Sequence, residues 1–241
     1  LTNSDEIVGQ DEKMLHDGAT FIDLGGYSSK PGAEFVSESE ELNRVIPIVK
    51  LLVDKFPDIL LSIDTFRSEV AKQAVENGAA IINDISAGLL DEKMLETVAK
   101  LQVPYIMMHM KGTPKTMQSL ANYDDLLKEM NFYFSERIAK ARNFGLNDII
   151  IDPGFGFAKT LEHNYELLHN LELLQFHELP ILAGISRKSM IYKTLETSPE
   201  DALNGTTFLH AFCLQKGSNI LRVHDVKEAV ECVKLMCRLG N

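Results

Sequence analysis

The sequence predicts a (β/α)8 barrel. Seven short runs rich in Ile, Leu and Val recur along the 241 residues, helical patterns separate them, and each run closes on polar residues. The runs are TFIDLGG (20–26), ILLSIDT (59–65), AAIINDIS (79–86), VPYIMMHM (103–110), DIIIDPG (148–154), PILAGIS (180–186) and NILRVHD (219–225). Each is too short for an interior helix and apolar on both faces, as a parallel strand covered from both sides requires.

The chain opens on a helical pattern over 4–17, with Ile7, Val8, Met14 and Leu15 to one side. A second helix, 38–55, is announced by the Ser37-x-x-Glu40 capping box. Further helices are predicted over 67–77, 91–101, 124–143, 161–173, 199–215 and 226–239. Strand–helix alternation on this scale means βαβ units and a parallel sheet. No linker or low-complexity tract interrupts it, so residues 1–241 read as a single domain. A complete barrel begins with a strand and needs eight. A helix followed by seven βα pairs is what remains when strand one is missing, and an open seven-stranded barrel would leave two raw parallel edges. The first strand and its loop are therefore expected in the native protein. A doubly wound open sheet is the alternative, although no strand leads into a GxGxxG or P-loop pattern.

With 24 Lys and Arg against 35 Asp and Glu, the formal charge is −11. That excludes a broad basic face for nucleic acid, while a few focused cations still dominate a cleft locally. Cys213, Cys232 and Cys237 form no CxxC and read as buried free thiols of a cytoplasmic protein. No apolar run has the length of a membrane span.

Asp23, Asp64, Asn83, Asp84, His109, Asp152, Ser186, Arg222, His224 and Asp225 all stand at strand ends. In a barrel the C-terminal strand ends meet at one mouth, where chemistry sits. Alternation puts Ser62 with Asp64, and Arg222 with His224, on shared faces. Asp84 and Asp225 also suit helix caps. Asp64, Asn83 and Asp152 match the donor–acceptor edge of a flat nitrogen heterocycle. Lys188, Arg222 and His224 belong to the last two strands, where barrels of this type hold phosphate. Arg187 stays open between a ligand contact and an ion pair. Residues 25–35 and 110–123 are candidate lids. Gly154 and Gly156 allow backbone to approach a ligand, and Phe155 and Phe157 suit either a pocket wall or the core. The rim offers no nucleophile–base pair.

Together IDLGGYSSKPGA, LSIDTFR, INDISAG, MMHMKGTPKTMQ, DPGFGFAKTLEHN, GISRKSMI and LRVHDV resemble the dihydropteroate synthase family, in the family's order from residue 20 to 228. The resemblance implies condensation of 6-hydroxymethyl-7,8-dihydropterin diphosphate with 4-aminobenzoate, by an SN1-like loss of pyrophosphate. It implies that Asp64, Asn83, Asp152 and Lys188 hold the pterin, and that Ser29, Arg222 and His224 bind the diphosphate. Ser186, Lys30, Pro31 and Phe157 would shape the aminobenzoate pocket, with Lys188, Asp152 and Arg222 carrying catalysis. Mg²⁺ is the implied cofactor, its Asn ligand expected in the missing first loop. Lys30 stands where many members have Arg, keeping charge but losing the planar fork. A homodimer through the late helices is also implied, with Ala211, Phe212, Leu214, Val230, Val233, Leu235 and Met236 offering apolar surface. The competing readings are a pterin-binding methyltransferase, a metal-dependent hydrolase using His109, His224 and Asp225, and a non-catalytic pterin-binding protein.

Overall fold

All seven apolar runs form strands, each shorter than its run. A computed structural model describes residues 4–27, 34–113 and 116–240, the Gln118 side chain excepted. Helices and strands alternate as far as β6: α1 (Ser4–His16), β1 (Ile22–Gly25), α2 (Glu38–Lys55), β2 (Leu61–Asp64), α3 (Ser68–Glu76), β3 (Ile81–Asp84), α4 (Met94–Leu101) and β4 (Tyr105–Met108). After them come α5 (Leu126–Asn143), β5 (Ile149–Asp152), α6 (Leu161–His169), β6 (Leu182–Ala183), α7 (Ser189–Thr194), α8 (Leu203–Gln215), β7 (Ile220–Leu221) and α9 (Val226–Arg238).

The chain divides into two compact units, Leu1–Met108 with Arg137–Ile149, and His109–Glu136 with Ile150–Asn241. In the first, β1 to β4 pair in chain order and always in parallel. Parallel neighbours cannot be joined by a hairpin, so a helix crosses over between each pair. β3 and β4 are buried at every residue, as two-sided cover demands. Val45, Val49 and Leu52 of α2 and Val70, Ala71 and Ala74 of α3 are buried with Leu61, Ile63 and Ile82 of the strands. Gly26 permits a close approach, because a Cβ there would lie 2.7 Å from Val45 Cγ2. In the second unit β6 pairs in parallel with β7, and Ile151 bridges Ile181.

Helix boundaries show where tertiary partners outweigh local signals. Ser37 caps α2 by accepting from Glu40 N at 3.2 Å, but the Glu40 carboxylate pairs with Arg44 instead of completing the expected box. A full capping box forms at α6, from Thr160 and His163. Helix α4 starts at Met94 rather than 91, because Asp91 is used elsewhere: it accepts from Lys93 N at 2.9 Å and from Ser68 N, at the start of α3, at 2.7 Å. The predicted helix 161–173 ends at His169 and resumes as a 3₁₀ segment, Leu171–His177. The short α7 was not legible in its sequence.

Cys213 and Cys232 are buried free thiols, as expected, while Cys237 is exposed. No described helix is long and apolar enough to cross a membrane. His210 of α8 is buried, and its Nε2 has no hydrogen-bond partner among the described residues. Burial lowers its pKa from 6.5 to about 4, against a smaller opposing pull from Asp225. Between those values the unfolded chain binds a proton that the folded chain refuses, so stability falls as pH drops from 6.5 toward 4. Thermal denaturation against pH should show this acid slope, and His210→Leu should flatten it. An identical slope in both proteins refutes the assignment.

Candidate active site

In the first unit, strand register brings the predicted polar ends together. Gly25 stands beside Asp64, and Asp64 beside Asn83, across three neighbouring strands. A Cβ at Gly25 would lie 3.3 Å from Asp64 Cβ, so the glycine leaves Asp64 its room. Two residues earlier, Asp23 Oδ1 accepts from Ser62 Oγ at 2.7 Å, and Asn83 Nδ2 lies 3.3 Å from Asp23 Oδ2. Asp23 thus orients the Asn83 amide. Asp84 does not join this row. It is fully buried and accepts from Ser86 N, Ser86 Oγ and Gly88 N, each at 2.7 Å, and from Tyr105 OH at 2.6 Å. Burial raises its pKa and those four donors oppose the rise. Asp84 is a turn organiser, neither a ligand nor a helix cap.

One cluster here escaped the sequence reading. Glu41, 1% exposed, accepts from Thr65 Oγ1 at 2.7 Å and pairs with Arg67, which also donates to Val36 O at 2.6 Å. The Arg67 guanidinium lies 5.5, 5.9 and 5.2 Å from the ring centres of Tyr27, Phe35 and Phe66. A signal was present: Glu41 lies four residues before Val45 and eight before Val49, on the face of α2 that enters the core. An acid in that position needs a buried partner.

In the second unit, Asp152 ends β5. It is buried, and its Oδ1 accepts from Gly154 N at 2.8 Å. Burial pushes its pKa up, opposed by Lys188, the Gly154 amide, Arg222 and Lys159. Lys188 is half-buried, donates to Phe155 O, and holds its Nζ 5.1 Å from the Phe157 ring centre. Burial lowers the Lys188 pKa to about 8, with Asp152 opposing and Arg222 adding to the fall. Gly184 marks where these cations meet: a Cβ there would lie 3.9 Å from Lys188 Nζ and 3.8 Å from Arg222 Cβ. Both residues thus border this glycine, and both act electrostatically on the Asp152 carboxylate.

Arg222 and His224 lie just past β7, which stops at Leu221, so neither is a strand residue as the alternation argument assumed; both are exposed. Arg222 N still donates to Ala183 O at 3.0 Å. His224 N donates to the buried Ser186 Oγ at 3.2 Å, and His224 Nδ1 lies 3.0 Å from the same oxygen, tying the loops after β6 and β7 together. Arg187 resolves as structural. Its Nε and a terminal nitrogen hold both Asp225 oxygens, at 2.8 and 2.9 Å, and another terminal nitrogen donates to Pro199 O at 2.8 Å. Asp225 is therefore an ion-pair partner and makes no side-chain cap to α9.

His109 is buried against Tyr133, ring centres 4.8 Å apart, and its Nδ1 meets Lys159 Nζ at 3.0 Å. Burial, then Lys159 and Lys111, hold its pKa well below the ordinary imidazole value. Its ring is thus engaged by Lys159 on one nitrogen and by Tyr133 in an edge-to-face contact. Among the described residues no three His, Cys, Asp or Glu gather as a metal site.

Comparison with known proteins decides the family. Residues 1–224 match the model of the pterin binding enzymes. The Escherichia coli K12 dihydropteroate synthase is 44% identical over 225 residues, 92% of this chain and 79% of that one. A Yersinia pestis dihydropteroate synthase solved as a sulfonamide drug complex superposes with a TM-score of 0.95 at 41% identity, covering 99% of this chain and 87% of that one. A Xanthomonas albilineans dihydropteroate synthase with 4-aminobenzoic acid gives 0.91 at 37% identity, covering 98% and 85%. The chain belongs to the dihydropteroate synthase family.

The predicted (β/α)8 fold class and the predicted activity class, a transferase of folate biosynthesis, are those of this family. Of the dihydropteroate synthase positions inferred from sequence, Ser29, Lys30 and Pro31 lie outside the described residues. Within the first unit Asp64 and Asn83 are adjacent; within the second, Asp152, Lys188 and Arg222 gather around Gly184, with Phe157 against Lys188 and Ser186 against His224. Lys159, buried and bonded to His109, was missed, because a loop lysine ordinarily points to solvent.

Proposed function

We propose that this protein condenses 6-hydroxymethyl-7,8-dihydropterin diphosphate with 4-aminobenzoate, giving 7,8-dihydropteroate and pyrophosphate. The observation that carries the reading is the buried Asp152 carboxylate under the charges of Lys188 and Arg222, which both border Gly184. Asp152 accepts from the amino and N–H donors of the pterin, and Lys188 donates to its acceptor atoms. Asp64 and Asn83 keep the pterin-holding role that the resemblance implies. Arg222, His224 and Ser29 bind the diphosphate; Ser186, Lys30, Pro31 and Phe157 shape the aminobenzoate pocket.

The chemistry asks for charge stabilisation and positioning rather than a covalent nucleophile. The C–O bond to the diphosphate breaks and its electron pair leaves with pyrophosphate, whose growing charge faces Arg222. The pterin-methyl cation is trapped by the amine nitrogen of 4-aminobenzoate, which then loses a proton. Mg²⁺ stays the proposed cofactor; held mainly by diphosphate oxygens, such an ion needs only one or two protein ligands. The family match runs through both units, which supports residues 1–241 as a single pterin-binding domain. The buried thiols suit a cytoplasmic setting. Incubation with both substrates and Mg²⁺ should release pyrophosphate. Pterin binding without release, across pH and metal concentration, would overturn the condensation.

A homodimer through α8 and α9 belongs to the same reading. Phe208, Ala211, Phe212, Gln215, Met236 and Leu239 line an open groove of about 300 Å³, and Phe208 is 70% exposed. Sedimentation should find a dimer at micromolar concentration, and Phe208→Glu should yield a folded monomer. A monomeric parent protein refutes it.

A further inference from the structure

Several polar backbone groups of the loop between β5 and α6 are held by hydrogen bonds. Phe157 N donates to Gly154 O at 3.0 Å, and Gly156 N to Asn164 Oδ1 at 2.7 Å. Phe155 O accepts from Lys188, and Ala158 O accepts from Tyr123 OH at 2.8 Å. Ala158 has φ of +48°, a conformation that a residue with a Cβ adopts only when its surroundings impose it. Two carbonyls of this loop converge on one side chain. Lys159 Nζ lies 3.1 Å from both Gly154 O and Phe157 O, and its third neighbour is His109 Nδ1 at 3.0 Å.

An ammonium carries three donors and no acceptor, and three acceptors surround this one when His109 turns its Nδ1 lone pair inward. A neutral His109 meets that condition. Lys159 is 4% exposed, and burying a cation is costly. Burial lowers its pKa to about 7; Asp152 opposes the fall and Lys188 adds to it. A methionine of similar length would fill the same space without that cost, so packing alone does not account for the charge. The two carbonyls it grips bracket Phe155 and Phe157, whose carbonyl and ring are the contacts of Lys188.

We infer that Lys159 is a positioning residue: braced on His109, it fixes the β5–α6 loop so that Phe155 O and the Phe157 ring aim Lys188 at its ligand. The inference rests on the pterin-binding role of Lys188 proposed above. It adds a requirement beyond that role, for Lys159 acts through the loop and its neighbours Lys188 and Asp152 and not on the ligand itself.

Lys159→Met and Lys159→Gln test it against the parent protein. Two readouts are needed: equilibrium binding of 6-hydroxymethyl-7,8-dihydropterin diphosphate, and pyrophosphate release with 4-aminobenzoate. Lys159→Met should stay folded and weaken pterin diphosphate binding about tenfold, with KM rising in step and kcat changing less. Lys159→Gln, able to donate to both carbonyls, should fall between the two. A packing role alone would lower the folded fraction and leave Kd unmoved. An unchanged Kd in folded Lys159→Met therefore overturns the inference, as does failure of both variants to fold. Should the parent bind the pterin diphosphate without releasing pyrophosphate, the condensation fails by itself and the Kd comparison still decides Lys159. A parent that binds no pterin diphosphate overturns both.

Discussion

Lys188→Ala is expected to remove turnover and weaken binding of the pterin diphosphate, with kcat/KM falling about 10²- to 10³-fold or more. Its ammonium rests on Phe155 O over the Phe157 ring. Alanine leaves Arg222 to face the substrate alone and removes the charge that most opposes the raised pKa of Asp152. The wild-type pH profile supplies a second check. With the free-enzyme pKa lowered to about 8, Lys188 carries its proton below that value and loses it above. kcat/KM should therefore decline above pH about 8, well before an ordinary lysine titrates. Near-normal activity in Lys188→Ala ends the assignment.

Asp152→Asn should cost both binding and stability. The carboxylate is buried, accepts from Gly154 N and offsets the positive charges of Lys188, Arg222 and Lys159. Asparagine keeps the shape and a carbonyl oxygen but withdraws the counter-charge, and removing one partner of a buried ionic cluster costs about 3–5 kcal/mol. Its pKa is raised chiefly by burial, so the proton is taken up at a higher pH than an ordinary carboxylate would allow. Activity that needs the ionised form is present above that pKa and lost below it. The wild-type acid limb should lie above the usual carboxylate range and vanish in Asp152→Asn. Pterin titrations and denaturant melts measure the two effects; full affinity in a folded Asp152→Asn would remove the carboxylate from the binding site.

Much of the fold was written locally. Apolar runs of strand length and the helical periods between them depend on near neighbours, and all seven strands and most helices appear where the pattern puts them. One misplaced boundary has a long-range cause. Asp91 was read as opening its own helix, but its carboxylate serves Ser68, 23 residues earlier in the chain. The site divides in the same way. Asp64, Asn83 and Asp152 could be proposed from the sequence because motif and strand end coincide in them. Arg187 was undecidable until Asp225, 38 residues away, was seen to hold its guanidinium.

By itself the sequence determined the alternation of strands and helices, the family, and the residue types at each strand end, since periodicity and motif are properties of adjacent residues. Only the tertiary structure decided which of those polar groups are already spent. Asp84 is consumed by its own turn and Tyr105, Arg187 by Asp225, and Glu41 by Thr65 and Arg67. The same holds for Lys159, whose burial and bond to His109 cross 50 residues of sequence. The physical reason is that desolvation and charge pairing depend on distance in space, and the fold alone sets that distance.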